Sequence, residues 1–181
     1  GVAYDGWRLL YFIYPSIILI SLYGLYYFNF FLKSKYFKII MYLAIILNLS
    51  YLSFWNYKYH PHQYVYFNFL FKEKFNNNFE KDYWGLSNSH SLNYIIKNNR
   101  EYPLTVATKS FSLLETSSFI LNEDDKNKIL ITHYVPEAEF VITNYRIKQK
   151  KNFFIDKNKY KKYYEIIVDD VPINTVYRKL K

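Results

Sequence analysis

The sequence predicts a membrane helical hairpin followed by a small α/β domain outside the membrane, with a mixed sheet of four or five strands. Two observations predict the hairpin. Leu9 to Leu32 and Ile39 to Tyr57 are runs of 24 and 19 residues without a charged side chain, and about 20 apolar helical residues cross a bilayer core. A third observation predicts the α/β domain: from Pro103 onward, short apolar β-branched runs alternate with polar turns and helical spacing.

The elements follow in order. The first span, about 9–32, starts after Tyr4-Asp5-Gly6-Trp7-Arg8 and contains Pro15 and Gly24, residues that membrane helices tolerate. Lys33, Lys35 and Lys38 charge the connector to the second span, about 39–57. The positive-inside rule sets that connector in the cytoplasm, and the N-terminus and large C-terminal portion on the far side. Asn48 and Asn56 lie in the second span, where amides commonly bond a neighbouring helix. His60 to Phe71 is too short and too polar at its start to cross, and reads as an interfacial aromatic element. Ser87 or Ser89 can cap a helix running to about Asn99, with Leu92, Ile95 and Ile96 on one face. Leu104 to Thr108 reads as a strand. Ser110 or Ser112 starts a helix with Leu113, Leu114 and Ile120 inside, and Asn122 to Asn127 is a polar turn. Strands follow at Lys128 to Thr132 and Phe140 to Thr143. Lys148 to Lys162 reads as basic loop. Tyr164 to Val168 and Ile173 to Tyr177 read as strands separated by Asp169-Asp170-Val171-Pro172, a hairpin-like signal. The domain reading is 1–58 for the spans, 59–87 for the interfacial segment and 88–181 for the outer domain.

Composition bounds the function. The chain has 181 residues, a formal net charge of +9, 22 Tyr, 16 Phe and no Cys. Tyr at the span ends suits a membrane interface, where the ring is buried and the hydroxyl stays wet, although Lys, Asn, Ile and Tyr usage also fits an AT-rich bacterial genome. Without Cys there is no disulfide framework and no thiolate metal site. The basic surplus is diffuse and fits solubility or lipid phosphate, so no nucleic-acid partner is expected.

The four Gly are not spaced for a phosphate loop, and no nucleophile elbow or HExxH occurs. His60-x-His62 offers two imidazoles with no third ligand nearby, so no metal site is expected. Glu80 and Asp82 beside Tyr83-Trp84 carry the residue types of a sugar subsite, but the residue types favour a solvated turn with an aromatic anchor at the membrane surface. Asp5 and Arg8 stand just outside the first span, where a guanidinium can meet a lipid or ligand phosphate.

Several stretches resemble the bacterial dolichyl-phosphate-mannose–protein mannosyltransferase-like family. They are Tyr4-Asp5-Gly6-Trp7-Arg8-Leu9-Leu10-Tyr11-Phe12-Ile13-Tyr14-Pro15, His60-Pro61-His62-Gln63-Tyr64-Val65-Tyr66-Phe67-Asn68 and Phe79-Glu80-Lys81-Asp82-Tyr83-Trp84-Gly85-Leu86-Ser87. Ala138 to Arg146 and Val171 to Arg178 are similar to later segments of the same family. The chain departs from the family pattern at Leu9, where His is usual, at His62, where Tyr is usual, and at Lys72 to Asn78, which replaces a Gly-rich link.

The resemblance implies the C-terminal portion of a polytopic C-type membrane glycosyltransferase. Such enzymes move a sugar, with inversion, from a polyprenyl-phosphate carrier on the extracytoplasmic face. It implies that the acidic catalytic base lies in an earlier loop outside this sequence. No catalytic residue is then expected here, the fragment alone is expected to be inactive, and the missing N-terminal transmembrane region is a partner. Arg8, supported by Asp5, would contact the carrier phosphate. His60, His62, Tyr64, Glu80, Asp82, Tyr83 and Trp84 would shape an acceptor path or brace the soluble domain. The expected donor is a polyprenyl-phosphate-linked sugar with no further cofactor, and the expected location is a bacterial inner membrane with the C-terminal domain in the periplasm. Two other readings fit the residues. One is a complete two-span, non-enzymatic protein whose outer domain binds a partner or a cell-envelope component. The other is a lipid sensor built on Lys148 to Lys162.

Overall fold

The computed structural model describes residues 11–66, 81–146 and 155–180. The chain divides into two compact units, Gly1–Tyr57 and Lys58–Lys181.

The first unit holds helices α1 (Tyr14–Phe31) and α2 (Lys35–Lys58). With the single turn that precedes α1, both are long and apolar enough to cross a membrane. Pro15 sits in the first turn of α1, where its missing N–H costs nothing. Ser21 returns its hydroxyl to the Ile17 carbonyl at 2.8 Å, which keeps it satisfied among apolar neighbours. The connector is shorter than expected. Only Leu32 to Ser34 is non-helical, and Lys35 and Lys38 ride on the first turn of α2. Ser21, Gly24, Ala44 and Asn48 line a groove of about 740 Å³ between α1 and α2.

The second unit is the α/β domain. Helices α3 (Leu86–Lys97), α4 (Leu114–Ser118) and α5 (Glu123–Lys126) accompany strands β1 (Leu104–Thr108), β2 (Ile129–Ile131), β3 (Phe140–Thr143), β4 (Tyr160–Val168) and β5 (Val171–Lys179). The sheet has five strands in the order β2-β1-β3-β5-β4. β2, β1 and β3 are parallel, whereas β5 runs antiparallel to β3 and β4. Leu92, Ile95 and Ile96 of α3 pack on Leu104, Val106, Phe140, Ile142 and Val176. The opposite face holds a smaller cluster of Ala107, Ala138, Val141, Ile155 and Tyr160. Asp169 and Asp170 both take positive φ, 49° and 66°. This is the backbone that a two-residue hairpin turn requires.

Four local expectations are corrected. Tyr160 to Lys162 is strand rather than loop, because Tyr160 faces the smaller core while Lys161 and Lys162 face water. The helix expected from Ser110 or Ser112 begins at Leu114 and lasts five residues. Leu113 and Ile120 fall outside that turn and are exposed rather than inside. Asn122 to Asn127 contains a helical turn, capped by Asn122 Oδ1 accepting from the Asp125 amide at 2.8 Å. Helix α3 starts at Leu86 without a serine cap.

Candidate functional site

The missing serine cap is replaced by Asp82. Its Oδ1 accepts the Leu86 amide and its Oδ2 the Ser87 amide, both at 3.1 Å. A carboxylate at a helix N-terminus meets free N–H groups and the positive end of the helix dipole. The Ser87 hydroxyl also donates to Oδ2, and Tyr64 Oη donates to Oδ1 at 2.9 Å. Asp82 is fully buried, and these donors compensate its charge.

Tyr64 extends the chain to His62. The one hydroxyl proton of Tyr64 is donated to Asp82 Oδ1, so the Tyr64 oxygen accepts from His62 Nδ1 at 3.2 Å. Nδ1 is therefore the protonated nitrogen, and Nε2 carries the lone pair. His62 is buried, and among the described residues Nε2 has no hydrogen-bond partner. The exposed His90 lies edge-on to it, 5.0 Å between ring centres. Burial lowers the His62 pKa and the His90 and His60 rings add to that, against the opposing pull of Asp82. Burial, then the charge of Asp82 and its hydrogen bond, hold the Tyr64 hydroxyl far above the usual phenol range. His60 remains exposed and accepts from Gln63 Nε2 at 2.6 Å.

The residues that follow Asp82 cross the loops that leave β1 and β3. Asn144, one residue past β3, donates through Nδ2 to the Asp82 carbonyl at 2.8 Å and to Ser112 Oγ at 3.0 Å. Arg146 donates to the Tyr83 carbonyl at 2.8 Å, and its guanidinium stacks 3.8 Å from the Tyr83 ring centre. Gly85 takes φ of 71°, and a methyl group there would meet Ser112 Cβ at 3.1 Å. Open α/β sheets commonly bind ligands in the crevice at the carboxyl ends of parallel strands. Here the chain's own Asp82-Tyr83-Trp84-Gly85 lies across the carboxyl ends of β1 and β3.

A second layer joins α3 to β5. Asn174 donates to Ser87 Oγ at 2.8 Å and to Asn88 Oδ1 at 2.9 Å, and accepts from Ser91 Oγ at 2.8 Å. All four residues are enclosed, and Asn88 Nδ2 has no partner among the described residues.

The structure thus brings together His62, Tyr64, Asp82 and Tyr83, with Trp84 beside Tyr83 and 72% exposed. Arg8, Asp5 and Glu80 lie outside the described residues. No cluster of three or more His, Asp or Glu side chains suited to a metal occurs among the described residues. Sequence reasoning gave no role to His90, Ser91, Asn144 or Asn174, and read Ser87 only as a possible helix cap. The available signal was an amide at a strand end or in a strand, Asn144 and Asn174, inside otherwise apolar runs. No family model, curated protein or solved structure matches the chain.

Proposed function

We propose that this chain is the C-terminal part of a polytopic membrane glycosyltransferase that moves a sugar from a polyprenyl-phosphate carrier to an extracytoplasmic acceptor. The observation that supports this reading best is spatial. The stretches around Tyr64, Asp82, Asn144 and Asn174 each resemble one family, and all four meet in a single buried hydrogen-bond network.

Within this reading the network braces the outer domain and the acceptor path runs elsewhere. Asp82 is enclosed and every oxygen is engaged by the protein itself, which leaves no lone pair facing a sugar. Arg8 holds the departing carrier phosphate and Asp5 orients it. A permanently charged, forked donor suits the charge that gathers on that leaving group. α1 and α2 cross a bacterial inner membrane, with the basic connector inside and the α/β domain in the periplasm.

The test uses the intact enzyme that contains this chain, assayed for sugar transfer from a polyprenyl-phosphate donor. Arg8→Ala lowers turnover by about 10²-fold, the loss typical of one transition-state donor. Unchanged turnover with normal membrane insertion rejects the role. Absence of any transfer from lipid-linked donors, with partner capture by the outer domain, would favour the non-enzymatic two-span reading.

A further inference from the structure

The two ends of the sheet carry different chemistry. At the far end, the turn before β4 exposes Asp156, Lys157, Asn158 and Lys159. At the hub end, large apolar side chains face outward: Trp84 is 72% exposed, Phe111 58%, Leu113 59% and Phe119 76%. The Trp84 and Tyr83 ring centres are 5.0 Å apart, and the Arg146 guanidinium lies 3.8 Å from the Tyr83 ring and 5.1 Å from that of Phe111. Phe111 and Leu113 flank the buried Ser112, whose Cβ lies beside Gly85, and both are exposed. Phe119 follows α4, whose Ser117 hydroxyl donates to the Gly85 carbonyl at 3.3 Å.

We propose that Trp84, Phe111, Leu113 and Phe119 form a phospholipid-docking face that beds into the boundary between headgroups and acyl chains. The proposal rests on reading α1 and α2 as membrane spans. Chain connectivity favours lipid over a protein partner. Lys58 ends α2, and Tyr64, six residues later, already donates to Asp82. Six residues reach at most about 20 Å, so a hub tied that closely to the end of a spanning helix works at the membrane surface. Trp is enriched at that depth because its ring is apolar and its N–H seeks water. Exposed large apolar side chains grouped about one hub on a water-facing domain mark an interaction surface, and here the leash keeps that hub near lipid.

The absence of Cys makes the test direct, since one introduced Cys carries one nitroxide label. Leu113→Cys, Phe119→Cys, Asn158→Cys at the far end and Ile20→Cys in α1 are each labelled in the full chain. Each is reconstituted in bilayers of phosphatidylethanolamine and phosphatidylglycerol. Collision with oxygen, which favours lipid, is compared with collision with a water-soluble nickel chelate. The proposal requires an oxygen-to-nickel ratio at Leu113 and Phe119 several-fold above that at Asn158 and approaching that at Ile20. Water-like ratios at Leu113 and Phe119, with Ile20 in lipid, overturn the docking face alone. Exclusion of both reagents overturns it in favour of a protein covering. Water-like behaviour at Ile20 overturns the span reading and the docking face with it. All four positions are exposed in the fold, so the label displaces no core side chain.

Discussion

Asn144 and Asp82 stand 62 residues apart in the chain, and the Asn144 side chain donates to the Asp82 carbonyl at 2.8 Å. The same amide reaches Ser112 Oγ, so one side chain ties the loop after β1, the residue after β3 and the entry to α3. Asp82 can then turn its carboxylate onto the first amides of that helix. The geometry makes Asp82 a structural keystone, and its substitution separates a bracing role from a ligand role.

Asp82→Asn keeps the shape and removes the charge. One carboxylate oxygen becomes an NH₂ group facing hydrogen-bond donors, either the Leu86 amide and Tyr64 hydroxyl or the Ser87 amide and hydroxyl. Losing charge-assisted bonds at a buried helix start costs about 3 kcal/mol. The expected result is a lower unfolding midpoint and faster hydrogen exchange at the Leu86 and Ser87 amides. Unchanged exchange would reject the bracing role.

His62 makes stability depend on pH. Its folded pKa lies below its unfolded value of about 6.5, so the unfolded state takes up a proton first as pH falls. The contribution of His62 is complete above that value and is lost as pH drops through it toward the depressed folded value. His62→Asn keeps a donor where Nδ1–H points at Tyr64 and cannot titrate. The wild-type loss of stability between about pH 7 and pH 5 should shrink in this variant. An identical pH profile for the two proteins would remove His62 as the cause.

Gly85→Ala tests the packing that holds the hub shut. Its φ of 71° lies in the left-handed region, and the new methyl would stand 3.0 Å from Asn88 Nδ2 and 3.1 Å from Ser112 Cβ. The backbone term alone costs about 1–2 kcal/mol, and the contact adds to it. Denaturant unfolding should show a loss of at least that size. Gly24→Ala is the control, because nothing lies within 4 Å of the methyl it would add.

Local patterning made the two long helices and the strands β1 and β3 readable. Leu104–Thr108 and Phe140–Thr143 are uncharged runs of apolar residues and Thr because both strands are interior to the sheet. β4 begins earlier than expected because Lys161 and Lys162 on this edge strand hide an alternating pattern. Leu113 and Ile120 looked internal by helical spacing, but a five-residue helix presents no continuous face. The hub was legible only as types. Tyr64, Asp82 and Tyr83 stood out, yet the bonds that join Tyr64 to Asp82, Asn144 to Asp82 and Arg146 to Tyr83 span 18 to 63 residues, and no local period encodes such contacts.

Asn174 offers the sharpest energetic test of the second layer. It spends its carbonyl on Ser91 and its amide on Ser87 and Asn88, all buried. Asn174→Ala strands these groups without water, and unsatisfied buried partners cost about 1–3 kcal/mol. Ser91→Ala removes one partner and leaves Asn174 Oδ1 without it. If the two residues act through their shared bond, the double variant is less damaged than the sum of the singles. The coupling expected is about 0.5–3 kcal/mol, measured from unfolding midpoints of the four proteins. Additive losses would show that Ser91 and Asn174 merely sit near each other. α3 would then be held to β5 by Ser87 and Asn88, and by the apolar packing of Leu92 and Ile95 beneath it.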